Sequence, residues 1–382
     1  MTKSEINHRE PVLIKEDKFD RLLKALSEAG YKIYGPVLRD GAIIYDEITS
    51  ANELPIGWTD EQDKGRYRLK KRPDNAYFGY VVGAQSWKKY LFPPTATIWQ
   101  AKKTGNGFQV ITDDEKPSPM AFLGVRACEL KAIEIQDKIL IDGEFQDPIY
   151  KRRREQVFTV AVNCTQVGGN CFCTSMNAGP KVSGDYDIAL TEIIEEARHF
   201  FLAVAGSDRG DRILAQVPAE KAAQSTIDEA EEAVNRSAGR MQKHIDTAGI
   251  KEALYENSEH PRWDDVAKRC LSCANCTLVC PTCFCMNIDD YTDLTGETAS
   301  RVRRWDSCFT VDHSYIHGGS VRNSVKSRYR QWLTHKLASW IDQFGTSGCV
   351  GCGRCITWCP AAIDITEEVA AIRSGIVKKK SN

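Results

Sequence analysis

CLSCANCTLVCP (residues 270–281) and CVGCGRCITWCP (residues 349–360) spell one cysteine pattern twice, C-x2-C-x2-C-x3-C-P. In this spacing three thiolates bind one iron–sulfur cube, while the fourth thiolate binds a neighbouring cube. The proline after the fourth cysteine cannot continue a regular helix, so it directs the chain away from the cluster. Two copies in one chain therefore predict a pair of 4Fe–4S clusters, and such a pair indicates that electrons pass through the protein.

The spacing also predicts which cysteines share a cluster, because each motif lends its last cysteine to the cluster of the other motif. The first thiol set consists of Cys270, Cys273, Cys276 and Cys359. The second thiol set consists of Cys349, Cys352, Cys355 and Cys280. Burial, hydrogen bonds to sulfur and nearby charge are expected to set the reduction potential of each cluster.

Zinc is the main alternative metal. Structural zinc sites usually draw their ligands from two separated C-x2-C pairs, whereas here three cysteines lie in one turn and a fourth follows. Disulfides are disfavoured, because Cys270, Cys273 and Cys276 are too close to pair with one another without strain. Residues 1–20 contain no apolar signal core. The 15 cysteines are therefore expected to be metal ligands in a reducing, cytoplasmic compartment.

Length and composition predict a soluble protein of several domains. A chain of 382 residues, of which 42% are hydrophobic, has room for two or three domains. Its net charge of −1 gives no general reason to bind nucleic acid or an anionic membrane. No apolar run approaches the ~20 residues of a membrane span. We therefore expect neither a nucleic-acid partner nor a membrane.

The middle of the chain reads as an α/β unit. Met120–Val125 and Val157–Val162 are predicted to be buried strands, with a helix over Glu129–Leu140 between them. A strand, a crossover helix and a second strand predict a parallel pair. Asp185–Leu190 is predicted to add a strand, and Thr191–Ala197 is predicted to be a helix.

These patterns predict an α/β N-terminal domain over residues 1–215 and a helical linker over residues 216–261. A two-cluster ferredoxin-type domain is predicted over residues 262–375. The interval between the cysteine motifs is long and contains apolar residues at helical spacing from Val325 to Ile341. The C-terminal domain is therefore predicted to be mostly α-helical.

Four further cysteines are candidates for a third iron–sulfur or metal centre. Cys128 and Cys164 follow the two predicted parallel strands, whose carboxyl ends are where ligands of open α/β sheets bind. Cys171 and Cys173 lie in the next loop, where the glycine pair 168–169 allows close backbone approach. Together these four thiols could complete a four-thiolate site. The alternative is that they are small buried core residues.

The other candidate residues carry a weaker signal. Cys283, Cys285 and Cys308 are interpreted as core residues or as thiols near a cluster. His313 and His317 lack the glutamate of an H-E-x-x-H zinc motif and are interpreted as ordinary polar residues. The chain has no G-x-G-x-x-G after a strand, no phosphate-binding G-x4-G-K-[ST] loop and no G-x-S-x-G elbow. No catalytic residue is predicted.

Five segments resemble the beta subunit of soluble sulfhydrogenases, which are bidirectional, NADP-linked nickel–iron hydrogenases. They are GVRACEL (124–130), NCFCTSM (170–176), CPTCFC (280–285), RWDSC (304–308) and CVGCGRC (349–355). The iron–sulfur A subunit of anaerobic sulfite reductase is similar. The resemblance spans most of the chain.

The resemblance implies an electron-transfer subunit with two 4Fe–4S clusters that is not catalytic alone. It implies a flavoprotein NAD(P)H-oxidoreductase partner and the small and large subunits of a nickel–iron hydrogenase. In the sulfite reductase alternative, a sirohaem subunit takes the place of the hydrogenase. Two other hypotheses are a self-contained iron–sulfur oxidoreductase, whose N-terminal domain binds its own cofactor, and a zinc-stabilised interaction module.

Overall fold

The computed structural model describes residues 10–111, 117–195 and 198–375. Residues 1–9, on which the expected lack of a signal peptide partly rests, lie outside these ranges. The strands are β1 (Val12–Lys15), β2 (Lys32–Arg39), β3 (Ala42–Ile48), β4 (Trp58–Asp63), β5 (Arg66–Lys71), β6 (Thr95–Thr104), β7 (Gly107–Ile111), β8 (Met120–Arg126), β9 (Val157–Val162), β10 (Ile188–Glu195), β11 (Arg198–Ala205), β12 (Glu220–Lys221), β13 (Met286–Thr292), β14 (Thr298–Trp305), β15 (Tyr315–Ile316) and β16 (Gly319–Ser320).

The α-helices are α1 (Asp20–Glu28), α2 (Lys88–Leu91), α3 (Ala127–Leu140), α4 (Pro148–Glu155), α5 (Asp208–Leu214), α6 (Gln224–Gly239), α7 (Ile250–Glu256), α8 (Arg262–Arg269), α9 (Asn275–Leu278), α10 (Val325–Thr334), α11 (Trp340–Phe344), α12 (Arg354–Thr357) and α13 (Ile365–Ser374). A π-helical turn, His335–Ser339, joins α10 to α11. The amphipathic helix predicted between the two motifs is therefore present, with a widened turn in its middle.

An eight-stranded sheet forms the N-terminal part, in the order β12-β1-β11-β10-β9-β8-β2-β3. Its four central strands, β10, β9, β8 and β2, run parallel, and the strands on either side are antiparallel. Every residue of β8 and β9 is buried, as expected for strands covered on both faces. The predicted parallel β-α-β unit is therefore confirmed, with α3 in the crossover.

The helix predicted over Thr191–Ala197 is wrong. Residues 191–195 continue β10, which pairs in antiparallel register with β11 over its whole length. The first six residues of β10 are all buried. Such a strand has no apolar alternation that would distinguish it from a buried helix in the sequence. Residues 196 and 197 lie outside the described ranges.

The expectation of a mostly α-helical C-terminal domain is corrected by a second sheet. This sheet has four strands in the order β13-β14-β6-β7, so residues 286–292 and 298–305 are strands rather than helix. β14 pairs with β6, which comes from a much earlier part of the chain. The stabilising partner of β14 is therefore distant in sequence, which is why local patterns did not reveal this strand.

Helices around the cysteine motifs share a separate hydrophobic core. Trp263 from α8, Leu333 from α10 and Ile372 from α13 are fully buried in this core. Several cysteines of both motifs pack against this core, so the two motifs share one support. Within the ranges that the structure describes, no helix is long and apolar enough to span a bilayer.

Candidate iron–sulfur centres

The two cysteine motifs follow the same backbone path. In the first motif, Ser272 and Ala274 adopt positive φ angles of 50° and 65°, and the short helix α9 follows. In the second motif, Gly351 and Gly353 adopt φ angles of 65° and 76°, and α12 follows. The backbone therefore reverses direction at equivalent positions, which turns successive cysteines toward one side of each loop.

Equivalent hydrogen bonds to sulfur reinforce this repeat. The backbone N–H of Ser272 donates to Cys270 Sγ at 3.4 Å. The backbone N–H of Gly351 donates to Cys349 Sγ at the same distance, 3.4 Å. N–H···S bonds of this kind stabilise a thiolate, and they help to set the reduction potential of a cluster that the thiolate holds.

The first thiol set surrounds one cavity. Its four cysteines line this cavity together with Cys355, and the rest of the wall is largely apolar, including Phe309, Tyr329 and Trp332. Cys359 reaches the cavity from the second motif, and its Sγ accepts a hydrogen bond from the N–H of Ile363 at 3.4 Å. The structure therefore gathers the four cysteines that the crossed pairing groups together.

The second thiol set is more deeply buried. Burial raises the pKa of the Cys355 thiol well above its usual value, and the other three thiolates of the set raise this pKa further. The charge of the Cys280 thiolate also raises the pKa of Cys349 and the pKa of Cys352, so the four sulfur atoms are neighbours. Buried thiolates this close repel one another, so they need a bound cation to remain ionised.

A buried lysine lies beside the second thiol set. Lys336 belongs to the π-helical turn, and its Nζ is 3.3 Å from Cys280 Sγ and 3.5 Å from Cys283 Sγ. The same ammonium donates to the carbonyl oxygen of Gly348 at 2.8 Å. Burial lowers the pKa of Lys336, but the nearby thiolates outweigh burial and raise it well above its usual value. The second set is therefore held against a fixed positive charge.

Arg354, within the second motif, joins this motif to the N-terminal sheet. Its guanidinium pairs with the Glu129 carboxylate of α3, and both side chains are almost completely buried, at 0% and 1% exposure. The same guanidinium donates to the carbonyl oxygens of Gly83 and Gln85, each at 2.9 Å. These contacts compensate much of the cost of burying the guanidinium, although its Nη1 has no hydrogen-bond partner among the described residues.

The four N-terminal cysteines also meet. Cys128, Cys164, Cys171 and Cys173 line a single cavity, and Cys352 of the second thiol set lies in the same wall. Cys128 follows β8 and Cys164 follows β9, at the carboxyl ends of adjacent parallel strands. The structure thus brings together all four residues of the predicted third centre.

The three remaining cysteines lie close to the motifs. Cys283 contacts Lys336, as described above. Cys285 hydrogen-bonds to Cys308 and to His313, and these contacts lower the pKa of the Cys285 thiol. His313 Nδ1 is 2.9 Å from an Asp306 carboxylate oxygen, so this histidine is part of a local polar network.

The donor sets fit iron–sulfur clusters. Each motif set offers four sulfur atoms, backbone N–H donors point at some of these atoms, and apolar or cationic walls surround them. Within the described residues, no three His, Cys, Asp or Glu side chains are placed to hold a single metal ion.

Comparison with known proteins agrees with this chemistry. The family model described as "4Fe-4S dicluster domain" matches residues 269–363. The "Sulfhydrogenase 2 subunit beta" of Pyrococcus furiosus is 27% identical over 369 residues, which are 96% of this chain and 99% of the relative. The chain is therefore similar to that subunit along almost its whole length. The resemblance inferred from the motifs is thus confirmed. No solved structure is significantly similar to the chain.

Sequence reasoning missed the charged residues around the sulfur atoms. Lys336 was assigned to the amphipathic helix, but its role beside the cysteines was not predicted. Its position between the apolar residues Leu333 and Leu337, both buried, could have indicated a buried partner of opposite charge, because a lysine on an apolar helix face needs one. Arg354 gave no such signal, because its partner Glu129 is distant in sequence.

Proposed function

We propose that this chain is the iron–sulfur electron-transfer subunit of a soluble, cytoplasmic nickel–iron hydrogenase complex. Its first thiol set would hold one 4Fe–4S cluster and its second thiol set would hold another. The observation that carries this proposal is the gathering of the crossed cysteine sets at two adjoining sites. The similarity to a sulfhydrogenase beta subunit supports the assignment to a hydrogenase rather than a sulfite reductase.

A bound 4Fe–4S cluster accepts and releases one electron at a time. The residues of this chain provide the environment in which that exchange occurs. The thiolates fix the positions of the two centres, and the apolar wall of Phe309, Tyr329 and Trp332 limits water at the first centre. Lys336 offsets negative charge at the second centre, where added charge would otherwise be costly in a buried site.

The two centres would be neighbours. Cys355 belongs to the second thiol set, yet it also lines the cavity of the first thiol set. An electron would therefore have only a short distance to travel between them. The proposed relay connects a flavoprotein subunit, which exchanges electrons with NAD(P)H, to the small and large hydrogenase subunits. The division into residues 1–215, 216–261 and 262–375 is retained as part of this proposal.

Mass spectrometry of the proteins that copurify anaerobically with the tagged full-length chain from its own host tests the assignment. We expect nickel–iron large and small subunits together with a flavoprotein. A sirohaem protein in their place would assign the chain to a sulfite reductase complex instead. Purification of the chain alone, with its own flavin and with NAD(P)H turnover, would contradict the relay and favour a self-contained oxidoreductase.

A further inference from the structure

The N-terminal cysteines form a cluster of donors that the two motif centres do not use. Cys128, Cys164, Cys171 and Cys173 come from two strand ends and one loop, yet their side chains share one cavity. Three of the four are buried, and Cys164 is partly buried. Cysteines that served only as small core residues would have no reason to converge from three separate segments on one point.

The loop that carries Cys171 and Cys173 is held close to its neighbours by the residues around it. A Cβ atom on Gly169 would lie 2.3 Å from the carbonyl oxygen of Gln62, so only glycine allows this approach. On the other side, the N–H of Phe172 donates to the carbonyl oxygen of Gly351 at 2.9 Å, which fixes the Cys-Phe-Cys segment against the second motif. The two thiols are thus positioned by backbone contacts on both sides of the loop.

A buried positive charge lies next to these thiols. Arg126 is 3% exposed, and its guanidinium donates to the carbonyl oxygens of Phe78 and Tyr80 at 2.9 Å and 2.8 Å. Its Nη1 also lies 3.9 Å from Cys164 Sγ. A buried guanidinium is stabilised by nearby negative charge. A metal centre with four thiolate ligands carries negative charge. Arg126 would offset this charge, as Lys336 does beside the second thiol set.

We propose that Cys128, Cys164, Cys171 and Cys173 hold a third iron–sulfur centre, a 4Fe–4S cluster that exchanges electrons with the cluster of the second thiol set. This inference rests on the proposed relay function and extends it into the N-terminal sheet. Cys352 is the connection, because it is a ligand of the second set and also lines the third cavity. One electron leaves one cluster and enters the other, and no bond is made or broken.

The third centre is the end of the relay nearest to a large surface cavity. This cavity has a volume of about 500 Å³, and Gln166 and Val167 line both it and the cavity of the four thiols. Arg72, Arg236 and Arg240 line it together with Asp74, Glu192, Glu195 and Glu229, so its wall carries charges of both signs.

Iron and acid-labile sulfide counts on the full chain, purified anaerobically, test the third centre. We expect about twelve iron atoms per chain in the wild type, from three clusters of four. Cys164→Ser is expected to lose about one third of the iron and sulfide, whereas Thr165→Ala, its neighbour, keeps the full amount. The double variant Cys164→Ser/Cys273→Ser is expected to lose about two thirds, because the two substitutions affect different clusters.

The outcomes separate this inference from the proposed function. About eight iron atoms in the wild type, with none lost in Cys164→Ser, would overturn the third centre and leave the two-cluster relay intact. Zinc bound in the wild type and released by Cys164→Ser would also overturn it. A wild-type chain without iron or sulfide would instead contradict the relay itself. The wild-type count alone decides the question if Cys164→Ser does not fold.

Discussion

The two cysteine motifs have the same spacing and the same backbone turns, but their surroundings differ. The first thiol set faces an apolar wall, and one of its members, Cys273, is exposed. The second thiol set is packed beside the buried cations Lys336 and Arg354. The repeated motif therefore supplies the proposed cluster ligands, whereas the charge and packing around each set depend on residues that the two motifs do not share. We expect the second cluster to have the more positive reduction potential, because nearby positive charge favours the reduced state.

Serine substitutions at equivalent cysteines are expected to have the largest effects. Cys273→Ser should remove the first cluster and abolish electron transfer through the complex, since serine is a poor replacement for a thiolate ligand. Cys352→Ser should remove the second cluster and also perturb the third cavity, which Cys352 lines. Iron analysis and dye reduction within the complex measure both effects. Leu271→Ser, at an exposed position in the first loop, is the control and should retain all iron. Full NAD(P)H-linked turnover in Cys273→Ser would contradict the relay.

Loss of the buried ion pair is expected to affect the second motif strongly. Arg354→Met leaves the Glu129 carboxylate buried without its partner, which should cost about 3–5 kcal/mol in the free energy of unfolding. Lys64→Met breaks an ion pair between exposed side chains, with Glu367, and should cost less than about 1 kcal/mol. Anaerobic denaturant titration compares the two variants. Equal losses would show that Arg354 does not anchor the second motif.

Removal of the buried lysine charge is expected to change one cluster and spare the other. Lys336→Met should lower the reduction potential of the second cluster by on the order of 100 mV, from a unit charge several ångströms away at an effective dielectric constant near 20. The first cluster should keep its potential. Lys326→Met, on the same helix and paired with Asp264 near the surface, is the control. EPR-monitored redox titration measures both potentials. An equal shift in the two reduction potentials would contradict the placement of Lys336 beside the second cluster alone.

Exchange of residues at the positive-φ positions is expected to have the smallest effects in the first motif. Ala274→Gly relieves a left-handed conformation but also loses a buried methyl group, so the free energy of unfolding should change by less than about 1 kcal/mol. Gly353→Ala is different, because its new Cβ would lie 2.4 Å from the carbonyl oxygen of Asn170. That variant should lose several times more stability in the same denaturant titration. Tolerance of Gly353→Ala would mean that the second loop is not packed tightly on the Cys-Phe-Cys segment.

Local patterns predicted much of this molecule from the sequence. The repeated spacing predicted two crossed cysteine sets, and the apolar runs at 120–125 and 157–162 identified the parallel strands whose ends carry Cys128 and Cys164. The strand predictions succeeded because each depends on a run of apolar residues that are adjacent in the chain.

Features that depend on distant partners were not predicted. β14 is stabilised by β6, and Arg354 is stabilised by Glu129, but neither partner is indicated by the adjacent sequence. The strand over residues 191–195 was mistaken for a helix, because burial on both faces removes the alternation that marks a strand. The charged residues beside the thiol sets also depend on distant partners, since Lys336 reaches the sulfur atoms only after its helix has packed.

EPR-monitored redox titration of the anaerobically purified wild-type protein tests the central claim most directly. The two motif sites are predicted to give two separate 4Fe–4S transitions, and the deeper site beside Lys336 is predicted to be reduced at the higher potential. A protein that gives no iron–sulfur signal on reduction, or a single transition from one cluster, would contradict the two-centre relay.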